Sequence, residues 1–226
     1  MLLNAEPFQR GEIVGDAALE IVLRRVAEFG PGAGDVVDTG SGIGEAVEIQ
    51  ATTDLHLRIR DVFFDDAEEL KRAKEHQLER VITIFPWIAT IDKFQHWLYE
   101  NPNHTEGERS DKWVEIFTEF TSPVLDVSDL EEYRRYFWQK QLHLFEVPFY
   151  YIEYGIAQLG AIGLWKQFKE NKEQALNNYI TALAQGGTRT LPELFKSAGL
   201  HFDFSPSVVG TLMAFVHAEM QALTKE

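Results

Sequence analysis

Residues 141–160 read QLHLFEVPFYYIEYGIAQLG, and this run governs how the rest of the chain is read. A histidine, His143, precedes three tyrosines, Tyr150, Tyr151 and Tyr154, set among Phe145, Phe149, Ile152 and Ile156. A phenol hydroxyl needs a partner when it is buried. Three on one helix turn are costly unless they point into a wet or reactive cavity. Tyr151 and Tyr154, three residues apart, are expected to share one face of a helix over 149–169, with Tyr150 pointing elsewhere. A second unusual run, residues 85–105, reads FPWIATIDKFQHWLYENPNHT.

Working outward, helix signals come in series from residue 65. Asp66 to Glu69 resembles a capping box, and Leu70, Ala73, Leu78, Val81, Ile82 and Phe85 follow at helical spacing. Pro86 should break or kink that helix, with a second one running to Tyr99 before Asn101-Pro102. Ser110 is read as the cap of a helix with Trp113, Ile116, Phe117 and Phe120 on one face. Ser128 to Glu131 is read as a further capping box, followed by a stripe of Tyr133, Phe137 and Leu144. Asn171 should start a helix that turns Leu176, Tyr179, Ile180 and Leu183 inward and ends at Gly186-Gly187. Thr190-Leu-Pro-Glu193 should begin a short helix ending at Gly199. Ser205-Pro206 should open the last one, carrying Val209, Leu212, Val216 and Leu223. The reading is all-α beyond residue 50, with 51–226 as one helical part.

Residues 1–50 differ. They hold eight of the sixteen glycines and, of the aromatic residues, only Phe8 and Phe29. An amphipathic helix over 17–29 is followed by a loop from Pro31 to Gly44. The run 36–44, VVDTGSGIG, has the look of a strand and loop that would bind S-adenosylmethionine, but that fold needs several further βα units. The chain after residue 50 offers helices instead, so the methyltransferase reading is set aside. The segment is expected to be disordered, or to reflect an out-of-frame reading or misplaced start.

The net charge of −15 argues against nucleic-acid binding, which needs clustered Lys and Arg. The absence of cysteine excludes disulfides, thiolate metal sites and cysteine nucleophiles. No window is apolar for long enough to span a membrane, and the N-terminus is not a secretory signal. A cytoplasmic location is the default expectation.

The strings at 82–105, at 138–143 (WQKQLH), at 145–160 and at 198–204 (AGLHFDF) resemble the C-terminal part of the oligoendopeptidase F-type zinc metallopeptidases, relatives of the thimet oligopeptidases. The resemblance covers about residues 61–223. It implies an α-helical metallopeptidase that cuts short peptides within an enclosed channel. In that family an H-E-x-x-H helix gives two zinc ligands and a general base, and a glutamate on a following helix gives the third ligand. None of the seven histidines (56, 76, 96, 104, 143, 201 and 217) is followed by glutamate, and no two are four apart. The expectation is that the zinc helix lies upstream of this chain, that no metal is bound here, and that the chain is inactive alone. Glu45 and Glu48 stand near where the third ligand would fall, in surroundings that do not match.

By the same resemblance His143, Tyr151 and Tyr154 are the candidate catalytic residues, donating hydrogen bonds to the peptide and its oxyanion. Tyr150 and His104 are candidate substrate contacts. Read from the residues alone, the tyrosines are better taken as amphipathic core residues with solvated hydroxyls; the resemblance is what favours the substrate-facing role. Asp92, His96 and Glu100 make a polar stripe at four-residue spacing, read either as a metal site or as a hydrogen-bonded row that sets helix register; the second reading is preferred. His201 and His217 are read as structural. The competing function is a non-enzymatic peptide-binding or interaction module, associating through an exposed apolar face.

Overall fold

A computed structural model describes residues 66–225. The glycine-rich segment 1–50, with its helix over 17–29, its loop over 36–44 and Glu45 and Glu48, lies outside the described residues. So does His56. The described residues form eight α-helices, two short 3₁₀ turns and no strand, the all-α class expected. The helices are α1 (Ala67–Glu100), α2 (Glu106–Glu119), α3 (Glu131–Tyr136), α4 (His143–Glu146), α5 (Ile152–Glu170), α6 (Lys172–Leu183), α7 (Leu191–Ser197) and α8 (Pro206–Lys225). Among the described residues no helix is long and apolar enough to cross a membrane.

The described chain divides into two compact units. One comprises residues 82–152, and the other residues 66–81 with 153–225. The first is built on an aromatic core. Phe94 of α1 and Trp113 of α2 are both 0% exposed and meet edge to face, ring centroids 5.1 Å apart. Trp87 presents its edge to Trp113 at 6.0 Å, and Trp138 lies 5.9 Å from Phe94. Ile91, Ile116 and Phe120 complete the cluster. Each fully buried side chain of this size contributes about 1.5–3 kcal/mol. The Trp113 indole N–H donates to the Arg134 carbonyl at 2.8 Å, which ties α2 to α3.

In the second unit α5 carries glycines where other side chains come close. A Cβ on Gly163 would stand 2.8 Å from Leu200. Trp165 of α5 meets Phe215 of α8 edge to face at 4.7 Å, and Lys169 pairs with Glu219 at 2.8 Å. Val209, Met213 and Val216 form the buried stripe of α8. The end of α7 is a Schellman turn: Leu200 N–H donates to the Phe195 carbonyl, Gly199 N–H donates to the Lys196 carbonyl, and Gly199 has φ +73°.

Several boundaries depart from the sequence reading. Pro86 lies inside α1 without breaking it, although it removes the donor that the Ile82 carbonyl would receive. That interior position costs about 3 kcal/mol, which the buried Ile82, Phe85 and Ile88 around it offset. The cap of α2 is Thr105, not Ser110. Thr105 Oγ1 accepts from Glu108 N–H while Glu108 accepts from Thr105 N–H, and Ser110 is buried mid-helix. Ser128 does not cap α3; it bonds back to Asp126, and Leu130 occupies the cap position without a side-chain bond. Tyr133, read as inward, is 75% exposed.

In α6 the capping residue Asn171 is where it was expected, but the inward face is not. Ala175 is the buried residue, with Asn178, Tyr179 and Ala182 half-buried beside it, while Leu176, Ile180 and Leu183 are exposed. Residues of both rows recur at helical spacing, so periodicity alone does not choose between them.

Gly199→Ala should destabilise the chain by about 1–2 kcal/mol, because its Cβ would sit at positive φ and 2.5 Å from Asn178 Nδ2. Urea unfolding checks this through a lowered midpoint at unchanged slope; an unmoved midpoint would contradict the Schellman assignment.

Candidate functional site

The tyrosine-bearing run is not a helix from residue 149. α5 begins at Ile152, so Tyr150 and Tyr151 precede its first residue and only Tyr154 is helical. The expectation that Tyr151 and Tyr154 share a helix face is therefore corrected. The cause is Phe149, whose φ of +56° is the one positive value among described non-glycine residues. A bulky side chain there costs about 1–2 kcal/mol, and a left-handed residue cannot continue a right-handed helix.

Neighbours from α1 hold Phe149. Its ring lies 4.8 Å from the His96 ring and 5.0 Å from that of Tyr99. Its backbone N–H donates to Gln95 Oε1 at 2.9 Å. His96 in turn approaches the Asp92 carboxylate at 3.6 Å. Asp92 is 5% exposed, and burial pushes its pKa above the ordinary carboxylate range, with His96 pulling the other way. Asp92 and His96 thus pair on one helix face, but only Asp92 is buried; His96 and Glu100 are exposed, so the three do not form a buried hydrogen-bonded row. Among the described residues no three His, Cys, Asp or Glu side chains converge as a metal site would require.

Beyond Phe149 the chain turns Tyr150 and Tyr151 against His143, the first residue of α4. Tyr150 stacks on the imidazole at 5.9 Å and Tyr151 meets it edge-on at 5.0 Å. Gln141 Nε2 lies 2.6 Å from His143 Nδ1. An amide nitrogen only donates, so Nδ1 is the acceptor in this contact. Tyr151 is half-buried, and burial raises its pKa, while a hydrogen bond from the Trp87 side chain lowers it in part. The indole N–H must be the donor in that bond. Tyr151 therefore remains a neutral phenol throughout the physiological range. The arrangement sets an imidazole and a neutral phenol side by side.

Tyr154 stands half-buried in the first turn of α5, in the second unit. His104 lies in the loop before α2. Its Nε2 accepts from Arg109 Nε at 2.7 Å and its Nδ1 faces the Asn101 carbonyl at 2.5 Å, so both ring nitrogens are used locally. The sequence reading did not single out Trp87, Gln95, Gln141 or Phe149. Gln95 carried a signal in retrospect, being an uncharged polar residue inside the apolar face of α1. Phe149 carried none, since nothing in its side chain favours a left-handed backbone.

Trp87→Phe removes the donor to the Tyr151 phenolate and should raise the Tyr151 pKa further. Ultraviolet titration against the Tyr151→Phe difference spectrum measures it; a downward or absent shift would refute the Trp87 bond.

Against known proteins, the description "Peptidase family M3" matches residues 56–211. The "Oligoendopeptidase F homolog" of Borreliella burgdorferi is 23% identical over 157 residues, which span 66% of this chain and 25% of that protein. A crystal structure described as an oligoendopeptidase F superposes with a TM-score of 0.70 at 30% identity, covering 79% of this chain and 32% of that one. PZ peptidase A, solved with an inhibitor, gives 0.58 at 35% identity over 67% of this chain and 28% of its own. The chain thus spans about a quarter to a third of the length of these relatives. With a match over well more than half its length, this chain belongs to peptidase family M3.

Proposed function

We propose that this chain forms the substrate-facing part of an oligoendopeptidase F-like peptidase acting on short peptides, with His143, Tyr151 and Tyr154 contacting the peptide. The observation that carries this reading is the pairing of the His143 ring with Tyr151, whose phenol burial keeps neutral, with Gln141 bonded to His143 Nδ1. Neutral donors strengthen their bonds as charge grows on an attacked carbonyl oxygen, without the cost of burying a charge of their own. Tyr150, stacked on His143, would line the same contact surface, and His104 would offer a peptide only its ring.

Zinc belongs to the chemistry that the family relationship suggests, and the residues here do not fit it. The sequence has no H-E-x-x-H motif, and no cluster among the described residues has the donors. The zinc would be held by other parts of such an enzyme, and the present chain alone would bind peptides without cleaving them.

Exposed apolar side chains support a second reading, that of an interaction module. Leu142 and Phe145 flank His143 in sequence with more than half their surface exposed, and α6 exposes Leu176, Ile180 and Leu183.

Calorimetric titration of a short peptide into the full chain, in buffer containing a chelator, tests the proposal. Saturable binding is expected, weakened about fivefold to tenfold by either His143→Ala or Tyr151→Phe, the loss of one hydrogen bond. Binding unaffected by both substitutions would favour the interaction module and defeat the assignment of the site.

A further inference from the structure

Gln95 is 1% exposed, on the face of α1 that also bears Phe94 and Ile91. Its amide orientation is fixed by chemistry: the Phe149 N–H is a donor, so Oε1 and not Nε2 must face it. That leaves Nε2 buried with no hydrogen-bond partner among the described residues. A buried amide with one end unsatisfied is a cost that an apolar side chain would avoid. Among the described residues the one side-chain hydrogen bond that Gln95 makes runs across 54 positions of sequence, to the residue whose backbone is left-handed. Without this acceptor, the Phe149 N–H would lose the bond seen here, and the turn would be held by the Tyr150 N–H to Val147 carbonyl bond at 3.4 Å and the ring contacts to His96 and Tyr99.

We infer that Gln95 is a positioning residue for the site. It accepts the Phe149 N–H, holds the left-handed turn, and thereby sets Tyr150 and Tyr151 against His143. Phe149 would otherwise relax toward ordinary backbone angles, and relaxation would swing the tyrosine rings that follow it off the imidazole. The clamp holds from the rigid side: α1 is anchored through Phe94 in the aromatic core, one residue before Gln95. That the clamped rings face a peptide rests on the function proposed above; the clamp itself does not.

Gln95→Met tests it in the full chain, because methionine fills similar space but cannot accept the bond. Amide exchange and ring-to-ring nuclear Overhauser contacts are the readouts, and neither needs bound peptide or turnover. The expected result is at least tenfold faster exchange at the Phe149 amide and loss of the His143–Tyr151 ring contact, with α2 amides as protected as before. Retention of both the Phe149 protection and the ring contact would overturn the inference, whatever the peptide titrations give. A uniform loss of protection that includes α2 would also overturn it, since Gln95 would then act on the fold and not on the turn. Should the methionine variant not fold, Gln95→Asn, whose carbonyl falls one methylene short, is expected to give the same selective loss.

Discussion

Phe94 is enclosed by Trp97, Trp113 and Trp138, with none of its surface exposed, and this packing immobilises the second half of α1. Everything that shapes the candidate site in the first unit is reached from that rail. Trp87, two turns before Phe94, sends its indole to Tyr151. Gln95 and His96, next in sequence, hold Phe149 by backbone and ring. The core therefore has a second role beyond burying apolar area. It fixes one helix firmly enough for a turn 54 residues away to be held in a conformation it would not otherwise adopt.

That turn delays the start of α5 to Ile152, so that Tyr151 precedes the helix and Tyr154 lies within it. Tyr151 joins His143 in one unit, and Tyr154 starts the helix of the other. A sequence spacing of three implies a shared face only where the backbone is helical across all of it. The left-handed residue at 149 sets the condition aside just ahead of Tyr150. Electrostatics then give the pair its character. Gln141 bonds His143 Nδ1, and burial keeps the Tyr151 phenol protonated.

The helical class and the C-terminal helices were legible because local chemistry marked their ends. Asn171 caps α6, Thr190 and Glu193 form a reciprocal box, Gly199 takes the left-handed cap, and Pro206 opens α8. Where the outcome depends on tertiary contacts, the sequence misled. Pro86 stays helical because its flanking residues are buried, and the inward face of α6 is set by small and polar residues while its larger apolar ones face out. Thr105-x-x-Glu108 was a readable capping box, overlooked in favour of Ser110. In the candidate site, His143 and the tyrosines were proposed by resemblance, while Gln95, Gln141 and Phe149, which contact them or their turn, were not. Gln95 and Trp87 matter through long-range bonds that no local pattern encodes.

In the proposed reading the groups that hold the peptide lie in this chain, and the metal centre would be held by other parts of such an enzyme. Elemental analysis of the purified, dialysed chain tests that division most directly. The account predicts essentially no zinc retained per chain. A stoichiometry of about one zinc would contradict it, and would place a metal centre among residues that have here been given no such role.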